Sequence, residues 1–271
     1  MSDRVKVTVS DGVADVQLAR PGKMNAIDPA MFLALTSAGE DLKSRNDVRA
    51  VVLSGEGRAF CAGLDMSSMA QLAAPADDSR DTVLAEAAKR TDAGANLAQQ
   101  AAYVWREVPV PVIAAVHGVA YGGGFQIALG ADLRIVAPDA RLAVMEIKWG
   151  LIPDMSGMVL LRGLVRDDVA RELTWTGRIF NGAEAVSLGI ATRVADDPHA
   201  EALALAHEIA GKSPEAIRAG KRLLNLIQTD ATAEQIFLAE SVEQRTLIGT
   251  ANQTEAVMAN LEKRPPAFTD C

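Results

Sequence analysis

Two short loops hold the residue types from which chemistry could be built. The first, Phe60-Cys61-Ala62-Gly63-Leu64-Asp65, follows an apolar run that reads as a buried strand. The second, His117-Gly118-Val119-Ala120-Tyr121-Gly122-Gly123-Gly124, also follows a buried strand and opens a helix. Small residues let another group approach the backbone closely. A helix N-terminus adds unpaired N–H donors at the positive end of its dipole. Two such N–H groups converging from separate loops would form an oxyanion hole, which stabilises negative charge developing on a carbonyl oxygen. A glycine triplet alone would read as a tight turn, and the spacing is not that of a GxGxxG dinucleotide fingerprint. Cys61 has no His or Asp partner in the pattern and reads as a small packing residue rather than a nucleophile. His117 reads as a hydrogen-bonded structural histidine rather than a base.

The elements that must hold these loops alternate along the chain. The run VKVTVS, then Asp11-Gly12, then VADVQLAR is a hairpin pattern. Residues 29–42 form an amphipathic helix, with Asp28 as N-cap and Pro29 at its first position. Short buried strands are expected at 49–54 and 109–117, a glycine-rich turn at 118–124, a helix from 125 to 130, and strands at 132–136 and 141–144. Strand, helix and strand therefore alternate through the middle, which indicates α/β layering. Residues 66–107 read as mostly helical, with 73–80 as the best candidate for a mobile loop. From residue 157 onward the pattern is largely helical. A helix spans 214–227 behind Ser213, and a long last helix runs from about 232 to 261.

Composition narrows the function. A chain of 271 residues with 49% hydrophobic and 23% charged residues can bury a sizeable core without disulfides or metals. A net charge of −8 argues against a general nucleic-acid binder, which needs a basic face. The two cysteines and three histidines show no clustered ligand spacing, so no metal site is expected. No apolar stretch is long enough to span a bilayer and no secretory h-region opens the chain, so it reads as cytoplasmic, with neither nucleic acid nor membrane as partner.

The ordered set of motifs resembles the crotonase (enoyl-CoA hydratase/isomerase) family over nearly the whole chain. RPGKMNAID resembles its N-terminal signature, RAFCAGLDM its first oxyanion loop, and GVAYGGGFQIALGADLRI its glycine-rich second loop and helix. MEIKWGLIPDMSG resembles its catalytic-acid segment, TWTGRIFNGAEAVSLGIATRV the segment after it, and KSPEAIRAGKRLLN with EKRPPAF its C-terminal helices. The resemblance implies an α/β fold in which a spiral of ββα units (residues 1–200) precedes a helical trimerisation region (201–271). It implies a homotrimer or homohexamer acting on an acyl-CoA thioester, with coenzyme A as part of the substrate and no other cofactor. The pathway would be fatty-acid metabolism or a related acyl degradation.

Residue by residue, the resemblance makes Leu64 and Gly123 the backbone donors to a thioester enolate. It lays coenzyme A along Ala62, Asp65, Met66 and Ser67. Some members carry a Lys where Ser67 stands, so phosphate contacts must come from Lys23, Arg20 or a basic residue of a neighbouring subunit. Asp65 has a second reading, the favoured one, as a loop brace through an Asx-type hydrogen bond. Hydratases of the family use two glutamates; here the matching places hold Gln126 and Glu146. A glutamine cannot donate and recover a proton as a carboxyl group can. The preferred reaction is therefore double-bond isomerisation with Glu146 as proton shuttle. The alternatives are hydration, with Gln126 positioning water or thioester, and a catalytically weak acyl-CoA-binding protein. Asp154 matches an acidic place in the dienoyl-CoA isomerase branch. It is either a proton-transfer partner of Glu146 or a cap for the helix near Ser156. Met145 and Trp149 replace a common Pro and aliphatic residue, and Trp149 is expected to pack in the core rather than wall the acyl pocket.

Overall fold

The computed structural model describes residues 3–72 and 89–271. It opens with strands β1 (Val5–Ser10) and β2 (Val13–Leu18), paired antiparallel from Val5 opposite Leu18 to Ser10 opposite Val13. Asp11 and Gly12 both take positive φ (50° and 77°), which matches the twist of a two-residue hairpin turn. Helix α1 (Pro29–Lys43) follows, its Asp28 cap accepting the Met31 N–H at 2.8 Å. Next come β3 (Ala50–Gly55), α2 (Met66–Leu72), α3 (Leu97–Glu107), β4 (Val112–Val116), β5 (Val119–Tyr121), α4 (Gly123–Gly130), β6 (Leu133–Val136) and β7 (Arg141–Ala143). A 3-10 turn at Glu146–Trp149 leads to α5 (Gly157–Leu161), α6 (Asp167–Thr176), β8 (Phe180–Asn181), α7 (Gly182–Ser187), β9 (Arg193–Val194), α8 (Pro198–Ala210), α9 (Pro214–Leu226), α10 (Ala233–Leu247) and α11 (Ala251–Glu262).

Six strands form one sheet in the order β1-β2-β3-β4-β6-β9, parallel except for the opening hairpin; β5, β7 and β8 form a smaller second sheet. The large sheet is covered on both faces, and its strands show why. Val51, Leu53, Val112, Ala114 and Val116 face a core shared with Leu35, Trp105 and Phe125. Their alternates Ala50, Val52, Ile113 and Ala115 face Ala202, Ala206 and Ala210, a small-residue stripe on α8 that allows close helix–sheet contact. Phe125 meets Phe180 edge to face at 5.9 Å, joining α4 to the second sheet.

Several expected elements differ in extent. The strand expected at 109–117 begins only at Val112, because Pro109 and Pro111 have no N–H for a ladder. The turn at 118–124 contains β5, and α4 begins two residues early at Gly123. Ser213 makes no capping bond with its side chain. The long last helix is two helices: Gly249 takes φ +82°, and Thr250 caps α11 by accepting the Gln253 N–H. Within 66–107 the described residues are helical only at 66–72 and 97–107, and the stretch 73–80 lies outside the described residues. Among the described residues no helix is long and apolar enough to cross a membrane, and no group of three or more His, Cys, Asp or Glu could hold a metal ion.

Candidate active site

The two glycine-bearing loops are laced together by their backbones. Cys61 donates to the Val119 carbonyl at 3.0 Å and accepts from Tyr121 at 3.1 Å, while Phe60 donates to His117 at 2.9 Å. On the other side, Ile27 donates to Gly63 at 2.8 Å and Asp65 donates to Ile27 at 2.9 Å. These bonds bracket Leu64, whose own N–H has no protein acceptor among the described residues. The Gly123 N–H is likewise unengaged, at the first position of α4, while its neighbour Gly122 donates to Ala143 at 3.0 Å. A Cβ on Gly63 would stand 2.6 Å from the Tyr121 oxygen and 3.8 Å from the Gly123 nitrogen. Only glycine permits that approach, at φ +88°. Ile27 and Met155 close around Gly123: a Cβ there would meet them at 2.9 and 2.6 Å.

Asn25 pins the first loop from beneath. Fully buried, with φ 55°, it donates from Nδ2 to the carbonyls of Glu56 and Ala59 (3.0 and 2.8 Å), and its Oδ1 accepts the Arg20 N–H at 2.8 Å. Its place inside RPGKMNAID gave no sign of this, although an Asn after a turn is the side chain that best tolerates positive φ. Cys61, fully buried, donates its thiol to the Asn25 carbonyl, and burial pushes that thiol up to about 12. It is a packing residue, as expected. His117 bonds to the Gly57 carbonyl at 2.9 Å and is structural, also as expected.

Asp65 braces its own loop. Oδ1 accepts the Ser67 N–H at 2.9 Å and the Ser67 hydroxyl at 2.6 Å, and Oδ2 accepts Arg20 at 2.6 Å. The Ser67 bonds, with Arg20 beside them, hold this carboxyl well below the usual carboxylate range. Arg20 also bonds to the Ala26 carbonyl and lies 3.6 Å from Asp28. Arg20 is thus engaged within the protein, at Asp65, Asp28 and the Ala26 carbonyl, rather than free to meet a phosphate. Lys23 is exposed, with no carboxylate partner among the described residues. Ala62 donates to the Met24 carbonyl, and Met66 begins α2 with its side chain 63% exposed.

Glu146 starts the 3-10 turn, opposite Gly122, where a Cβ would come within 3.2 Å of Oε1. Gln126, 1% exposed, donates from Nε2 to Glu146 Oε1 at 2.6 Å. Its own Oε1 accepts the Met155 and Gly157 N–H groups at 2.8 and 2.9 Å. Among the described residues, Glu146 Oε2 is buried without a hydrogen-bond partner. Burial raises the Glu146 pKa, and the nearby charge of Asp154 raises it further. Asp154 is exposed, yet desolvation by the surrounding chain raises its carboxyl as well. It caps nothing: α5 receives no side-chain capping bond, and the Gly157 N–H that a cap would serve belongs to Gln126. The capping reading is therefore corrected. Trp149 is also corrected: it is 42% exposed, with the Lys148 ammonium 5.4 Å from its ring centroid, because the segment that carries it lies at the surface, with Ile147, Leu151 and Ile152 exposed around it. The backbone seat at Met155 and Gly157 was not foreseen, since it depends on residues about thirty positions from Gln126 along the chain.

Among the described residues, the laced loops on this α/β fold leave the Leu64 and Gly123 N–H groups unengaged, with the Glu146 carboxylate beside Gly122; such an arrangement could stabilise negative charge on a carbonyl oxygen. The sequence profile of the enoyl-CoA hydratase/isomerase family matches residues 8–271. A Thermus thermophilus protein provisionally named an enoyl-CoA hydratase is 35% identical over 94% of this chain and 97% of its own. The Arabidopsis thaliana peroxisomal Delta(3,5)-Delta(2,4)-dienoyl-CoA isomerase is 27% identical over 97% and 95%. The crystal structure of a Mycobacterium smegmatis enoyl-CoA hydratase superposes with a TM-score of 0.82 at 31% identity, covering 97% of this chain and 98% of that one. The chain belongs to the enoyl-CoA hydratase/isomerase family, within the crotonase superfamily, and is an enzyme of that acyl-CoA-processing family.

Proposed function

We propose that this enzyme shifts a carbon–carbon double bond in an enoyl-CoA thioester, with Glu146 as the proton shuttle. The observation that carries this reading is the asymmetry at Glu146. Its Oε2 is a buried carboxylate oxygen with no hydrogen-bond partner among the described residues, and the side chain beside it is an amide already bonded at both ends. Leu64 and Gly123 N–H groups would take the thioester oxygen. Glu146 removes a C2 proton from a 3-enoyl thioester, and the electron pair moves onto that oxygen as a dienolate. Glu146 then returns the proton at C4, leaving the 2-enoyl isomer with no change in mass. Burial serves both halves: a raised pKa makes the carboxylate a better base and the acid a form that persists long enough to return the proton.

Coenzyme A would enter as part of the substrate, along Ala62, Met66 and Ser67 on the loop braced by Asp65, with Lys23 facing its phosphates and no other cofactor. The exposed apolar residues of α10 and α11, among them Phe237, Leu238, Val242 and Leu261, support assembly into a homotrimer or homohexamer. Hydration is the second reading, favoured by the hydratase names of the relatives. The second N–H of Gln126 would then orient the water.

The test offers trans-3-enoyl-CoA and trans-2-enoyl-CoA of one chain length and follows products by mass and chromatography. Isomerisation without mass change, lost in Glu146→Ala, is the expected result. Gain of one water from the 2-enoyl substrate, with no isomerisation, would replace it by hydration. Product formation unchanged in Glu146→Ala would overturn both, and turnover absent throughout would leave an acyl-CoA-binding protein.

A further inference from the structure

We propose that Gln126 is a positioning residue that leaves Glu146 a single working oxygen and so confines proton transfer to one carboxylate; this rests on the reading of Glu146 as the base. The amide has only one possible orientation. Met155 and Gly157 present N–H donors, so the group facing them must be the oxygen, and the Nε2 then necessarily faces Glu146. Glu146 Oε1 is thereby occupied at 2.6 Å, and Oε2 is the oxygen left to meet a substrate. A donor on the ionised form also favours that form, opposing the burial that disfavours it.

The seat beneath Gln126 is built for an oxygen. Ser156 takes the left-handed conformation (φ 67°), so that the N–H groups on either side of it converge on one point. Successive N–H groups in this arrangement make a concavity suited to an anion. A Cβ at Gly157 would stand 2.7 Å from the Gln126 oxygen and would displace it from this seat. A carboxylate oxygen would fit this seat as well as the amide oxygen does. Gln126→Glu would keep both backbone bonds while setting a second carboxyl against Glu146. Two carboxyls that close cannot both ionise and must share a proton. The side chain at 126, not the backbone, therefore sets the number of acid–base groups here.

Among the described residues, Asp154 is the charge acting on Glu146, and Lys148, on the same turn, places its ammonium over the Trp149 ring. Helix α6, packed against the same turn, carries Asp167, Asp168, Arg171 and Glu172, and these are paired with Arg171, Arg166, Asp167 and Arg178 in turn.

The test uses the full-length protein and two readouts on wild type, Gln126→Glu and Gln126→Met. The first is the carbon-13 titration of the Glu146 carboxyl, assigned by its disappearance in Glu146→Gln. The second is the pH profile of C2 proton exchange from butyryl-CoA in deuterated water. In Gln126→Glu the Glu146 titration and the acid limb of exchange should both rise by more than about one pH unit. Gln126→Met, if folded by circular dichroism, should lose most exchange. A titration and acid limb unmoved in Gln126→Glu would overturn the proposal. A shifted titration with no exchange in the wild type would support the positioning role and instead sink the assignment of Glu146 as the base.

Discussion

Arg20 and Asp65 stand 45 positions apart in the chain and 2.6 Å apart in the fold. Through this pair the end of the first hairpin holds the loop that presents the Leu64 N–H, and Asp65 passes the restraint on to Ser67.

Arg20→Met should therefore loosen the loop and leave the Asp65 carboxylate, 6% exposed, without its cation. The expected cost is about 3 kcal/mol at neutral pH. The sign with pH follows from the depressed pKa of Asp65. Its stabilisation is complete above the unfolded carboxylate range, near pH 4, and is lost as pH falls toward the folded value. Urea midpoints of both proteins at about pH 7 and about pH 3 should show the gap narrowing in acid. An equal gap at both would rule out the ion pair as its source.

Glu146→Gln should abolish turnover while stabilising the fold by about 1 kcal/mol at neutral pH, since a buried charge with an unpartnered oxygen is removed. Here the folded pKa is raised. The native state holds its proton longer than the unfolded chain, so wild-type stability falls as pH rises through that window. The advantage of the glutamine variant should appear only above about pH 4. Thermal melts across pH check this, and the acid limb of kcat/KM should lie above the ordinary glutamate range.

Gly63→Ala places a methyl 2.6 Å from the Tyr121 oxygen at φ +88°. It should part the two loops and lower kcat by about 100-fold, comparable with losing one oxyanion donor. Leu64→Ala keeps the peptide nitrogen and should stay within about tenfold of wild type. Steady-state kinetics on both variants would refute the backbone-donor assignment if their order were reversed.

Asp154→Asn separates a partner in proton transfer from a bystander. As a partner of Glu146 it should slow isomerisation of a dienoyl substrate by at least about tenfold, about 1.4 kcal/mol, with little change for a simple 3-enoyl substrate. Equal rates on the dienoyl substrate would remove it from the mechanism.

What the sequence disclosed follows the range of the interactions involved. Asp11-Gly12 and Asp28-Pro29 act within a few residues, and both were legible as a hairpin turn and a helix start. The glycine loops announced themselves by composition. Gln126 was marked only by the family resemblance, and its seat was not legible, because its three bonds reach Glu146, Met155 and Gly157 across twenty to thirty-one positions. Strands β8 and β9, two residues each, are too short for any alternation to register. The break at Gly249 was hidden by helix-forming residues on both sides, although Thr250 and Gln253 carry a cap signal.

The lacing of Cys61 to Val119 and Tyr121 has a consequence for how such a chain can change over generations. The groups that would meet the thioester oxygen are peptide N–H groups, which no codon change at Leu64 except one to proline can delete. The groups that would move the proton are side chains, each one codon from another identity. Reaction type can therefore drift at 126, 146 and 154 while the capacity to stabilise an enolate is inherited intact, and a new activity need not begin from a dead intermediate.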